Sequence, residues 1–243
     1  MTGRSPQTGA FRDVIKVDHG PVDLLQRFFA WADSETRRRG VVVSFARLEE
    51  LLNVNSANAA TWRSLVPIFR PELGGITTET GFALLGRNAA GDVVAAQAAR
   101  FYDWRTTNLR TQAASLKMFY ADPESARGRG DMCEITAPIA DRISGRVAFS
   151  GGGWYRPDYR GKGLGRIIPR ISRAWAFARW RTDFTISMME GAVLDGGFAE
   201  RVGYTNVEPD AIRFRASPTG AARCALVWME SKQMLADLEA ISS

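Results

Sequence analysis

Residues 146–178 run through a strand-like stretch, a turn in which every second residue is glycine, and an amphipathic helix, and no other part of the chain restricts the fold as tightly. The turn reads Arg160-Gly161-Lys162-Gly163-Leu164-Gly165. Behind it Leu164, Ile167, Ile168, Ile171, Trp175 and Ala178 recur at helical spacing on one apolar face, with Arg166, Arg170, Arg173 and Arg181 mostly off that face. Strand, glycine turn and helix in this order bring main-chain N–H groups and a helix N-terminus to one point, where an anion is stabilised. The glycines let the chain approach phosphate oxygens with no Cβ in between, and Arg160, Lys162 and Arg166 add positive charge around them. A pyrophosphate fits such a turn. Pro169 removes one backbone donor inside the helix and predicts a kink or a late helix start.

The kind of phosphate ligand follows from what the turn lacks. A Walker loop needs a glycine five residues before the Gly-Lys pair and a Ser or Thr after it, where this chain has Arg156 and Gly163. A dinucleotide fingerprint needs G-x-G-x-x-G, and Arg166 stands in place of its third glycine. Read without further context, 160–165 is a tight turn with a basic flank, and Gly151-Gly152-Gly153 a flexible or bulged strand segment.

Arg160 to Gly165 resembles the R/Q-x-x-G-x-G/A signature of the GNAT superfamily of N-acetyltransferases, and Pro157-Asp158-Tyr159 looks like the lead-in to that signature. Phe198-Ala199-Glu200-Arg201-Val202-Gly203-Tyr204 is similar to the family's second signature, a helix ending in Gly-Phe or Gly-Tyr before the next strand. The resemblance implies an α/β (α+β) fold with a mixed, mostly antiparallel central sheet flanked by helices. It implies acetyl-CoA, or another acyl-CoA, as cofactor, with Arg160, Gly161, Lys162, Gly163, Leu164, Gly165 and Arg166 on its pyrophosphate. By the same resemblance Gly153, Trp154 and Tyr155 hydrogen-bond the pantetheine arm through main-chain groups, and one N–H polarises the thioester carbonyl, a donor worth ~3 kcal/mol of barrier. The implied reaction is direct attack of an amine, on a small molecule or a peptide, upon the acyl group. Many relatives pair as homodimers.

Two positions depart from the family pattern. The tyrosine that donates to the departing thiolate in many members corresponds to Ala199, and an asparagine that often touches the cofactor corresponds to Ala192. Both departures bear on activity more than on cofactor binding, so a non-catalytic acyl-CoA-binding or sensor domain is the alternative. Glu190, at the end of a predicted strand, is the first candidate for a base, against a plain exposed strand end; Tyr155 is the first for an acid, against a ring packed in the core. Phe101, Tyr102, Trp104, Tyr120 and Trp154 are candidates to line an aromatic acceptor cleft, or simply core residues.

Elsewhere the pattern divides the chain into a helical N-terminal segment, residues 1–75, packed on the same unit as an acyl-CoA-binding domain, residues 76–243. Val22, Leu25, Phe28, Phe29 and Ala32 recur at helical spacing, as do Phe45, Leu48, Leu51 and Leu52, and a third short helix is expected to carry Trp62, Leu65, Val66 and Phe69. Strands are expected at 81–87, 93–101, 146–155, 184–188, 211–215 and 225–229, the last two around the turn Ser217-Pro218-Thr219-Gly220, with a final helix at 230–240. Residues 121–140, with Pro123, Pro138 and a charged glycine turn, read as largely loop.

A net charge of +6 favours polyanionic partners without choosing between nucleic acid and a nucleotide cofactor. Residues 48–62 can be stretched into a helix-turn-helix, but 53–61 holds no Lys or Arg, so nucleic acid is not the expected partner. No metal site is expected: Cys133 and Cys224 lack metal-ligand spacing, and His19 is the only histidine. The polar residues 1–16 lack the apolar core of a secretory signal, and no apolar run approaches the ~20 residues that cross a bilayer, so no membrane partner and a cytoplasmic location with two buried free thiols are expected.

Overall fold

The computed structural model describes residue 11, residues 15–216 and residues 219–243. Ser217 and Pro218 of the expected turn, and most of the polar stretch 1–16, lie outside the described residues. Eight strands form one sheet: β1 Val42–Ala46, β2 Gly81–Arg87, β3 Val93–Trp104, β4 Met132–Ile135, β5 Gly145–Tyr155, β6 Phe184–Glu190, β7 Asn206–Ala216 and β8 Gly220–Glu230. Their order across the sheet is β1-β2-β3-β5-β6-β8-β7-β4. Every neighbouring pair is antiparallel except β5 and β6, which run parallel.

Side chains alternate across the strands and sort into two cores, one on each face of the sheet. Phe82, Leu84, Ala148, Val227 and Met229 face one side, and Ala83, Leu85, Val147, Phe149 and Leu226 the other. The first face is covered by α1 (Val22–Arg38), α6 (Leu164–Trp180) and α9 (Ser231–Ser242). The second is covered by α2 (Leu48–Ala57), α3 (Pro71–Gly74), α4 (Leu109–Ala114), α5 (Pro123–Gly128) and the loop between α2 and α3. Two short helices, α7 (Gly191–Asp195) and α8 (Phe198–Arg201), follow β6.

α1 buries Leu25, Phe28, Phe29 and Ala32, the stripe that its spacing predicts. It stops at Gly40, whose φ of 72° permits the bonds Gly40 N–H to Arg37 O and Val41 N–H to Thr36 O. α6 starts at Leu164 and continues through Pro169 to Trp180, so the late start is not seen; the missing N–H of Pro169 removes only the bond to the Gly165 carbonyl.

Three sequence expectations need correction. Phe45 belongs to strand β1 rather than a helix, because the valine run 41–43 is β-branched and pairs with β2. Trp62 to Val66 is not helical: Val66 and Arg70 precede prolines, which hold them extended at ψ 153° and 107°, leaving one 3-10 turn at Pro67–Phe69 and the four-residue α3. Residues 121–140 contain α5 and β4. Pro123 there sits in the first turn of a helix capped by the Asp122 carboxylate, which accepts from Ser125 N–H, so it starts a helix instead of breaking one. Arg170 and Arg173, expected only to lie off the apolar face of α6, are buried as well.

Candidate active site

The site is built on an interruption. β5 and β6 pair only through Val147 with Phe184, Ala148 with Thr185 and Phe149 with Ile186. Beyond those pairs the two strands separate, and a cleft of about 440 Å³ opens between residues 150–155 on one arm and 187–190 on the other. The β5 arm also carries a bulge. Its ladder with β3 shifts between Ala96 and Ala98, opposite Trp154 and Gly151, and Gly152 takes φ 62° there. A Cβ on Gly151 would press on Phe149 and Phe69, at 2.9 Å and 3.1 Å, so the small residue is what admits the aromatic wall behind the strand. Below, Gln97 Nε2 donates to Ser150 Oγ at 3.1 Å, fixing the bulge to β3.

At the outer end of the β5 arm the chain makes the 3-10 turn Pro157–Tyr159 and enters the glycine loop. Gly161 and Gly163 have φ 77° and 78°, the left-handed region that side chains avoid. Gly163 is the N-cap of α6 and offers no side-chain acceptor; Arg166 N–H turns back to Gly163 O at 3.0 Å, which leaves the N–H groups of Leu164 and Gly165 for an outside partner. The loop is gripped from both sides. Arg39, at the end of α1, donates from Nε to Lys162 O at 2.9 Å, and its Nη1 is held by Glu35 at 2.5 Å. Arg160 donates to Tyr155 O at 3.1 Å and to Thr61 O at 3.3 Å. Lys162 Nζ lies 3.9 Å above the Tyr159 ring. The third glycine has a packing reason: a Cβ on Gly165 would come within 3.0 Å of the Phe198 ring.

Opposite the loop, residues 61–63 span the cleft. Trp154 Nε1 donates to Thr61 Oγ1 at 3.3 Å, and the Trp62 ring stacks on Trp154 at 5.2 Å between centroids and 10° between planes. Arg63 reaches the other arm, pairing with the Glu190 carboxylate and donating to Thr219 O at 3.4 Å. Glu190 ends β6 and is the N-cap of α7. The floor is made by Leu65, Val66, Phe69, Phe149 and Met188.

Gly153, Trp154, Tyr155, Arg160 and Glu190 line this one cleft, and Gly161, Lys162, Gly163, Leu164, Gly165 and Arg166 form the loop at its outer end. Tyr155 packs its ring near Gly165, and its buried hydroxyl has no hydrogen-bond partner among the described residues. Burial raises the pKa of that phenol, and the Arg173 charge opposes the shift. Of the five candidate aromatics only Trp154 lines the cleft. Phe101 stacks on Trp180, the Tyr102 hydroxyl donates to Met118 O at 2.6 Å, Trp104 stacks on Tyr102, and Tyr120 is buried. Aromatics on the 93–104 strand fill the sheet's own faces, which is where alternation puts them. Ala199 is the buried residue of α8 and Ala192 is exposed.

Five participants, from three places in the chain, escaped the sequence. Thr61, Trp62 and Arg63 come from a loop with no motif. Arg39 closes a run of three arginines at the end of α1, and only the fold carries it to Lys162. Arg173 is wholly buried under the cleft, where it lies over Tyr204 at 4.8 Å and donates to Val202 O. Its neighbour Arg170 holds Asp237 of α9 through two bonds of 2.8 Å. Loss of water lowers the pKa of Arg173, and Asp237, 3.6 Å away, offsets part of that. A Cβ on Gly203 would overlap both Arg170 and Asp237, so that glycine is what lets the pair pass.

No protein-family model matches the sequence, and neither does any curated protein. Among solved structures the chain is similar to mutant forms of the spermidine/spermine N-acetyltransferase SpeG from Vibrio cholerae, at 8% identity and TM-score 0.46 over 81% of this chain and 97% of that one. It is also similar to the aminoglycoside acetyltransferase AAC(6')-Ib in complex with coenzyme A and kanamycin, at 11% identity and TM-score 0.45 over 79% and 96%. A complex of AAC(6')-Ib with acetyl-CoA gives 12% identity and TM-score 0.44 over 80% and 95%.

Proposed function

We propose that this chain is an N-acyltransferase of the GNAT type that moves an acyl group, acetyl in the first instance, from acyl-CoA to an amine. The observation that carries this reading is the junction of the splayed β5–β6 cleft with the glycine loop at the head of α6. An uncapped helix N-terminus, two glycines in left-handed geometry and the cations of Lys162, Arg166 and Arg39 form a cradle for a pyrophosphate. That cradle has no room to spare at Gly163, where a Cβ would stand 3.2 Å from Arg39 Nε. From the loop, the edge of β5 that β6 leaves unpaired leads inward along Gly153, Trp154 and Tyr155, a fit for an extended arm bearing amide groups.

An acyl-CoA bound there supplies the thioester whose carbonyl carbon the amine attacks. The chain has three tasks around it. Glu190, on the facing arm, takes the proton of the incoming ammonium once Arg63 releases it. A main-chain N–H of the Gly153–Tyr155 stretch meets the negative charge that develops on the carbonyl oxygen. Tyr155, kept protonated by burial and without a hydrogen-bond partner among the described residues, is the proposed relay: it passes its proton to the departing sulfur and takes in return the second proton that the nitrogen sheds as the amide forms. A thiol with a free pKa near ~8.5 leaves without much help, so the alanine at 199 does not remove activity. The acceptor amine belongs to a small molecule or peptide. No helix among the described residues is long and apolar enough to cross a membrane, and a cytoplasmic enzyme is the setting we propose.

The test is calorimetric titration of acetyl-CoA and CoA into the protein beside its Gly163→Glu variant. Micromolar binding that the variant loses supports the reading. Binding that survives the substitution places the cofactor elsewhere, and no binding by either form sinks the proposal. Acetyl-CoA binding without turnover over a broad amine panel would favour the sensor alternative.

A further inference from the structure

The acceptor side of the cleft has a charge pattern that restricts what enters it. Among the described residues lining it, the charged groups are Arg63, Arg160, Arg173 and Glu190. Glu190 is the only carboxylate, and Arg63 already holds it. A polycation entering here would meet Arg63 and one occupied acid, with Arg160 at the loop end and Arg173 buried beneath the cleft adding positive charge, and its remaining ammonium groups would lose water with no second carboxylate to meet them. An amine with no other charge could reach Glu190 only by breaking the pair, which leaves Arg63 without its anion.

A zwitterion avoids both penalties. Its carboxylate replaces Glu190 on Arg63 while its ammonium replaces Arg63 on Glu190, so one ion pair becomes two. The exchange is accessible, because the side chains of Arg63 and Glu190 are 61% and 45% exposed and a pair so wet is held weakly. Glu190 emerges free to accept the ammonium proton. Beside the pair lie Trp62 on Trp154, Leu65, Val66 and Phe69, a mostly apolar wall in which Thr61, Ser64 and Ser187 add only small hydroxyls to the lining.

Resting on the acyl-transfer reading of this cleft, we propose that the acceptor is an α-amino acid or a close analogue, with amine and carboxylate on neighbouring carbons and an apolar or aromatic side chain. Arg63 holds the carboxylate, Glu190 receives the ammonium and its proton, and the Trp62 wall takes the side chain.

Two measurements test this together. L-phenylalanine, L-leucine, 2-phenylethylamine and spermidine are titrated calorimetrically into the protein saturated with CoA, and CoA release from acetyl-CoA is followed with each as acceptor. One or both amino acids should bind and be turned over, with kcat/KM at least about tenfold above 2-phenylethylamine, the loss expected for one charged hydrogen-bonded contact. Spermidine should do neither. In Arg63→Gln the ratio of L-phenylalanine to 2-phenylethylamine should fall to near one, and Arg63→Lys should recover part of it. Equal or better turnover of 2-phenylethylamine or spermidine overturns the proposal, as does failure of both amino acids to bind a protein that binds acetyl-CoA. Failure to bind acetyl-CoA is a different result and overturns the acyl-transfer reading itself.

Discussion

The two arms of the cleft are made of different material. The β5 arm and its loop are main chain: glycines at 151–153, 161, 163 and 165, with N–H groups as the working parts. The β6 arm and the facing loop are side chains, Glu190, Arg63 and Trp62, drawn from segments far apart in sequence. A main-chain site demands one residue type at fixed spacing and so writes itself into the sequence. A side-chain site can be assembled from any segments that the fold brings near.

The difference predicts that substitutions on one arm change cofactor affinity and on the other change turnover, and the largest expected effect is the one that breaks this separation. Asp237 ties the helix behind the glycine loop to the segment that follows β6, because its partners Arg170 and Arg173, on α6, also hold the carbonyls of Arg201 and Val202 at the end of α8. Asp237→Ala leaves two buried guanidiniums short of their anion and should lower stability by about 3 kcal/mol. Urea denaturation measures it, and a loss below about 1 kcal/mol would show that the arginines are satisfied by carbonyls alone.

Next in size, Glu190→Gln should lower kcat about a hundredfold while the acetyl-CoA dissociation constant stays within about twofold. Steady-state kinetics beside calorimetry decides it, and a variant that loses cofactor affinity instead would merge the arms into one site. Arg39→Ala is the mirror case. It removes the donor to Lys162 O and a cation from the loop, and should weaken acetyl-CoA about tenfold or less, with kcat at saturation little changed.

The smallest effect sits behind the β6 arm. Cys224 pairs across the sheet with Glu190, and burial pushes its thiol up to about 11 and that of Cys133 to about 12. A raised folded-state pKa means that this stabilisation is whole below the unfolded thiol value near ~9 and declines as pH climbs through the folded values. Urea midpoints should therefore be level from pH 7 to 8 and lower at pH 10, with the buried phenols of Tyr102 and Tyr155 acting in the same direction. At pH 8 neither thiol should react with an aromatic disulfide reagent in the native protein. Rapid labelling of Cys224 would reveal a β6 arm that opens on its own.

Much of the fold was legible where periodicity was long or chemistry local. α6, α1, β2 and β5 could be placed from their patterns, and Gly203 marked the end of the helical stretch before β7. Errors gathered where two rules competed. At Phe45 helical spacing and β-branching pointed to different structures, and sheet pairing decided the matter. At 121–140 prolines and glycines looked like loop punctuation, yet Pro123 opens a helix and Met132–Ile135 finds an edge on β7. Arg170 and Arg173 defeated the rule that charged faces meet water, since their partner arrives from a helix at the other end of the chain. The glycine loop was readable for the reason given above. The partners of Glu190 and Lys162 were not, because separations of 127 and 123 residues leave no local trace.

The early end of the β5–β6 ladder has one more consequence. A sheet that parts in its middle carries an inner seam, a pair of strand edges exposed within the body of the molecule where other sheets have only outer ones. An extended ligand lying along that seam acts as a missing strand. Within residues 150–155, the amide hydrogens directed away from β3 should then exchange with solvent quickly in the empty protein and slowly once the seam is filled, while those paired with β3 stay protected in both. A ligand that fills the seam would thus lengthen the time the chain survives heat and proteases, in proportion to how much of that ligand is present.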